Sequence, residues 1–122
     1  MERALFERLV DEALANLPAA FRERLDNVAI VVADWPDAHT LRLAGARSPA
    51  ELLGFYHGVP LSRRGSGYGL VTPDQISIYR FPILLQAEGE DAVRGLVQRV
   101  VAHEIAHHFG IDDERLRSLG AY

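Results

Sequence analysis

Residues 92–109, AVRGLVQRVVAHEIAHHF, restrict the fold of this chain more than any other segment. Val93, Leu96, Val97, Val100, Val101, Ile105 and Phe109 recur at helical spacing yet spread over most of the circumference, so the helix they predict is largely buried. Its second half also carries His103, Glu104 and His107. Burying such groups costs on the order of several kcal/mol unless each finds a partner. The fold must therefore wrap this helix in apolar surface and still satisfy the polar groups of its C-terminal half.

A metal ion is one such partner, and the spacing suits it. His103 and His107 are four residues apart, so their imidazoles project from one face and can both reach a zinc ion at roughly 2.0 to 2.1 Å. Glu104 lies about 100° round the helix, near the rim of that face, where it can act on a water without binding the ion. This is the H-E-x-x-H zincin motif. Gly110 follows as a helix breaker able to adopt positive φ, and a sharp turn there could bring Asp113 to the same ion as a third ligand. Three protein ligands would leave zinc a position for water, whose pKa falls to about 7, with Glu104 as the base that takes its proton. The alternative is a polar helix end with capping histidines and no metal.

His108, four residues after Glu104, is placed to hydrogen-bond that base or a substrate, or to cap the helix C-terminus. Tyr79 and Arg80 are weaker candidates for a donor to the developing oxyanion; a packed tyrosine and a surface arginine are the plainer reading. His39 and His57 are isolated in sequence, although His57 falls in a predicted strand that could line a cleft.

Upstream, Leu5, Phe6, Leu9, Val10, Ala13, Leu14 and Leu17 predict an amphipathic helix over 3–17, ended or kinked by Pro18, with room for a further helical turn or two over 19–25. Val28 to Val32 reads as a short strand buried on both faces. Residues 33–47 contain Pro36 and Gly45 with little periodicity and predict an irregular connection, in which Trp35 defaults to core packing. Ser48, Pro49 and Glu51 form a helix start of about one turn in the manner of a capping box. A second strand follows in GFYHGVPL, a loop in SRRGSGYG, a third strand at 75–80, and a short helix opening at Pro82. By analogy with zincins, the 75–80 strand is the expected sheet edge for an extended substrate.

Composition removes several chemistries. The 122 residues include no cysteine, which excludes disulfides, thiolate nucleophiles and all-sulfur zinc sites. All thirteen basic residues are arginine, so Schiff-base chemistry and the P-loop lysine are absent as well. Gly65, Gly67 and Gly69 precede a strand rather than a helix and read as a loop, not a phosphate cradle. A net charge of −4, with Arg63 and Arg64 the only adjacent basic pair, argues against nucleic acid as a partner. No apolar run reaches the roughly 18 residues of a membrane span, and the start lacks a secretory signal pattern. We expect one domain over 1–122, a monomer in the cytoplasm, free of membrane and nucleic-acid partners.

VVAHEIAHHFGIDDERL, with ELLGFYHGVPL and ISIYRFPILL upstream, resembles the zincin-like metallopeptidase family of small bacterial proteins, over roughly residues 25 to 122. The resemblance implies a compact α+β fold, a small three- to four-stranded sheet packed against a buried active-site helix; the helix predicted over 3–17 adds an N-terminal helix to it. It also implies a zinc ion, peptidase activity, His103, His107 and Asp113 as ligands and Glu104 as base; it does not supply a substrate, and a peptide or protein is the partner we expect from that activity. The chain departs from relatives within the wider zincin class. Metzincins carry a methionine turn beneath the metal, and Met1 is the only methionine here. Gluzincins take a glutamate ligand from a later helix, and only eight residues follow Glu114. Asp112 and Glu114 are the alternative third ligands if the turn differs by one residue. A zinc peptidase is the expected function; the alternatives are another metal-dependent hydrolase, such as a nuclease, and a metal-binding regulatory module without catalysis.

Overall fold

The computed structural model describes residues 1–23, 25, 27–58 and 74–111. Among these, five helices and a three-stranded mixed sheet form the α+β arrangement expected: α1 (Arg3–Ala15), α2 (Ala19–Arg22), β1 (Val28–Ala33), α3 (Ala38–Ala44), β2 (Gly54–His57), β3 (Asp74–Tyr79), α4 (Arg80–Gln86) and α5 (Glu90–His108). The sheet order is β1-β3-β2, with β1 parallel and β2 antiparallel to β3.

One face of the sheet receives α1 and α5. Phe6, Leu9, Val10 and Ala13 of α1 meet Val93, Val97, Val101 and Ile105 of α5 over Ile76 and Ile78 of β3. Full burial of each larger aliphatic side chain contributes roughly 1.5 to 3 kcal/mol, so this face is where the fold is held. Among the described residues, no helix is long and apolar enough to cross a membrane.

The strands exchange the characters expected of them. β1, the apolar run, alternates between half-buried and exposed positions, with Val31 38% exposed, because it lies at a sheet edge. β3 is buried at every position but Gln75, because it lies in the centre. The expectation that the 75–80 strand is an open edge is therefore corrected: both its sides are paired, and β2 is the outer strand beside α5.

Residues 33–47 are also more ordered than expected. The Asp37 side chain accepts a hydrogen bond from Thr40 N at 2.7 Å and Gly45 closes the segment at φ 69°, so the two supposed breakers bracket α3. The Asp37 carboxyl is held below its ordinary pKa by these Thr40 hydrogen bonds. Trp35 is not core: it is 46% exposed and stacks on Phe81. Pro49–Glu51 form a single 3-10 turn, in which Glu51 accepts from Arg47 N and the Ser48 side chain caps nothing. α1 ends at Ala15, two residues before Leu17, which is nonetheless buried.

Candidate metal centre

α5 starts after Gly89, with Glu90 and Asp91 in its first turn, where carboxylates favour the positive end of the helix dipole. It ends in a Schellman turn: Gly110 N donates to His107 O at 2.9 Å and Ile111 N to Ala106 O at 2.9 Å, with Gly110 at φ 79°. The helix thus closes at Gly110, three residues after His107.

His103, Glu104 and His107 converge, with one potential donor atom from each lying within 4.8 Å of the others. They are the one group of three or more such side chains among the described residues that could hold a metal. The two imidazole centroids are 4.5 Å apart, and His107 Nδ1 lies 3.6 Å from Glu104 Oε1. Ligands sharing an ion at about 2.0 to 2.1 Å stand at most about 4 Å apart, close to the spacing of this group, so His103 and His107 are placed to share a metal with Glu104 beside it. The set fits a borderline ion such as zinc: two neutral nitrogen donors with a carboxylate beside them. Glu104 is the buried member, while His103 and His107 are partly open to a cleft of about 530 Å³.

Asp113, Asp112 and Glu114, the expected third ligand and its alternatives, lie outside the described residues, as do Arg63, Arg64 and the glycines at 65, 67 and 69.

The cleft runs between α5 and β2. Leu53, Gly54, Phe55 and Tyr56 line one side, and Arg99, Val100, His103, Glu104 and His107 the other. Gly54 sets the spacing: a Cβ there would stand 2.9 Å from Val100 Cγ1, 3.1 Å from Ser77 O and 3.3 Å from Glu104 Cγ. Glycine is needed for the strand to pass this close to the base.

The other sequence candidates sit elsewhere. His108 is 2% exposed, and its Nδ1 meets the Asp74 carboxylate at 2.9 Å rather than Glu104 or the helix end. Tyr79 is buried away from the cleft, with burial pushing its hydroxyl pKa up against hydrogen bonds from Ser77 and Thr40. Arg80 pairs with Asp34 at 3.0 Å and donates to Met1 O at 2.9 Å. His39 is exposed. His57 packs edge-on against Phe55 and is not a wall of the cleft; burial, chiefly, lowers its pKa. Tyr56 and Asp74, which sequence reasoning missed, carry no local signal: one alternates inward on a short strand and the other resembles a loop acid after Pro73.

A helix presenting H-E-x-x-H to a cleft is the arrangement in which the zincin motif is used. The sequence model of the family described as "Zincin-like metallopeptidase" matches residues 25–121, and the chain belongs to that family. No curated protein matches it significantly. The fold is similar to that of a conserved hypothetical protein from Thermus thermophilus, with a TM-score of 0.57 and 22% identity over 98% of this chain and 97% of that one.

Proposed function

We propose that the protein is a zinc-dependent peptidase whose base is Glu104 and whose metal is held by His103, His107 and Asp113. The observation that carries this reading is the convergence of His103, Glu104 and His107 at the wall of a cleft whose opposite wall is the outer strand β2. Family membership supports it. When bound, zinc polarises the scissile carbonyl and lowers the pKa of water.

The chain's own residues do the rest. No described strand pairs with the outer side of β2, so an extended peptide adding there through its backbone would be laid across the Glu104 side of α5. Glu104, buried and fixed against Gly54, takes the proton of the attacking water and returns it to the departing amine. His103 and His107 supply neutral nitrogens and keep one edge toward the cleft.

The test couples elemental analysis with cleavage of a peptide library. The wild type is expected to bind about one zinc per chain and to cleave. Glu104→Gln should keep the metal and lose roughly 10²- to 10⁴-fold in turnover, the range for removing a positioned base. Zinc without cleavage of any peptide, in a library covering all flanking residues, would overturn the peptidase reading and leave the metal centre.

A further inference from the structure

Asp74 opens β3 with its side chain completely buried, a costly position for a carboxylate. Tyr56 of β2 donates its hydroxyl proton to Asp74 Oδ2 at 2.5 Å, and His108 Nδ1 donates to the same oxygen at 2.9 Å. The Tyr56 and His108 rings also meet edge to face, with centroids 5.8 Å apart. Gly58 closes over the group at φ 152°: a Cβ there would collide with the Asp74 carboxylate and stand 3.0 Å from the Tyr56 hydroxyl. One buried carboxylate thus ties a wall of the cleft to the end of the helix that forms the opposite wall.

An apolar trio would hold three elements together as well, and often better, because buried ionic groups are weak evidence for stability. What polar contacts add is direction. His107 and His108 are consecutive, so their side chains leave the helix about 100° apart, and fixing one direction fixes the other. A side chain reaches about 5 to 6 Å from the helix axis, where a 20° turn displaces it by roughly 2 Å. Metal–ligand distances tolerate only about 0.2 Å. Apolar packing at Ile105 and Val101 holds α5 down without specifying the rotation of its last turn.

Resting on the metal-centre reading above, we infer that Asp74 is a positioning residue for that centre: by holding Tyr56 and His108 it sets the rotation of the last turn of α5 and so aims His107. It touches neither metal nor substrate in this role. Its signature is a change in metal affinity and coordination geometry that loss of stability alone does not produce.

The full-length Asp74→Asn and Tyr56→Phe variants test this, with Ile105→Val as a control that loosens the same helix without touching the polar group. Two readouts are taken on folded protein: zinc affinity by competition with a chelator, and the visible absorption spectrum after loading with cobalt(II). Asp74→Asn is expected to bind zinc on the order of 10-fold or more weakly, the lower range for residues that orient a metal ligand, and to show a shifted cobalt spectrum. Tyr56→Phe, which removes a single hydroxyl, moves both readouts in the same direction and decides the matter if Asp74→Asn does not fold. Ile105→Val keeps wild-type affinity and spectrum. Wild-type values in every folded Asp74 and Tyr56 variant, or equal weakening in Ile105→Val, overturn the positioning role. A wild-type chain that takes up neither ion overturns the metal centre and this role with it.

Discussion

The two halves of α5 use charge in opposite ways. In the first half, Arg94 lies at the surface among Glu12, Glu90 and Asp91, at 2.8, 3.3 and 3.0 Å. In the second half, Glu104 and His108 are 5% and 2% exposed on the same helix, a few turns away. Exposed ion pairs are screened and contribute little, whereas a buried polar group must be satisfied or it unfolds its surroundings. The difference teaches where to look for function: the conspicuous cluster of ion pairs is expected to contribute little, and the quiet buried groups are the ones to test.

Removing the metal should separate the halves most sharply. A ligand that binds the folded chain alone contributes about 2.7 kcal/mol at a hundredfold excess over its Kd, so chelation is expected to lower Tm measurably. The lost protection should be local. Amide hydrogen exchange is expected to accelerate over Val100 to His108 and to stay unchanged over Glu90 to Arg99. His107→Ala should reproduce the chelated state and abolish its response to zinc. Equal acceleration along the whole helix would dissolve the distinction.

Gly54→Ala comes next. The added methyl must displace Val100, the Ser77 carbonyl or the Glu104 side chain. Overpacking of this kind costs about 1 to 3 kcal/mol, read as a lowered denaturant midpoint. Because one of the displaced groups is the proposed base, turnover should fall further than the loss of folded protein explains. A stable variant with full turnover would mean that β2 is free to move away from α5.

These tests also mark how much of the site was legible in the sequence. The helix, the H-E-x-x-H face and the breaker at Gly110 are local features, and each is written in consecutive residues. Strand order is not local. The run VAIVV looks like a central strand and lies at an edge, while β3, carrying Asp74, Gln75 and Ser77, takes the centre. Hydrophobicity reports that a strand is buried somewhere, and the rest of the chain decides on which side. Asp74 was illegible for the same reason, since Tyr56 and His108 stand 18 and 34 residues away from it. Pro36 and Gly45 were legible but ambiguous: the same residues that break a helix also bound one.

A smaller effect is expected at His57, which alternates with Tyr56 along β2 and so faces away from α5. Burial holds its pKa below the ordinary 6.5, with the nearby His39 acting in the same direction and Asp37 and Glu104 opposing. Below pH 6.5 the unfolded chain therefore binds the proton more readily than the folded one. This contribution to stability is present above pH 6.5 and is lost as the pH falls toward the folded value. In chelated protein, Tm should fall more steeply between about pH 7 and pH 5 for the wild type than for His57→Gln. Identical slopes would place the acid sensitivity in other groups.

The smallest effect should come from the most densely charged site. Arg94 donates to Glu12 of α1 and to Glu90 and Asp91 of its own helix, and hydrogen bonding to Glu12, first of all, raises its pKa. Those contacts lie in solvent, where holding a long side chain in one geometry offsets most of the attraction. Arg94→Gln keeps much of the aliphatic stem against the helix and removes the charge, so any loss it shows is electrostatic. Its Tm, zinc affinity and turnover are expected at wild-type values, in low salt and in high. A fall in Tm comparable to that of Gly54→Ala would mean that the Glu12 contact, a polar tie between α1 and α5, anchors the active helix from its far end. The two halves of α5 would then be one mechanical unit, and aiming His107 would begin at Arg94.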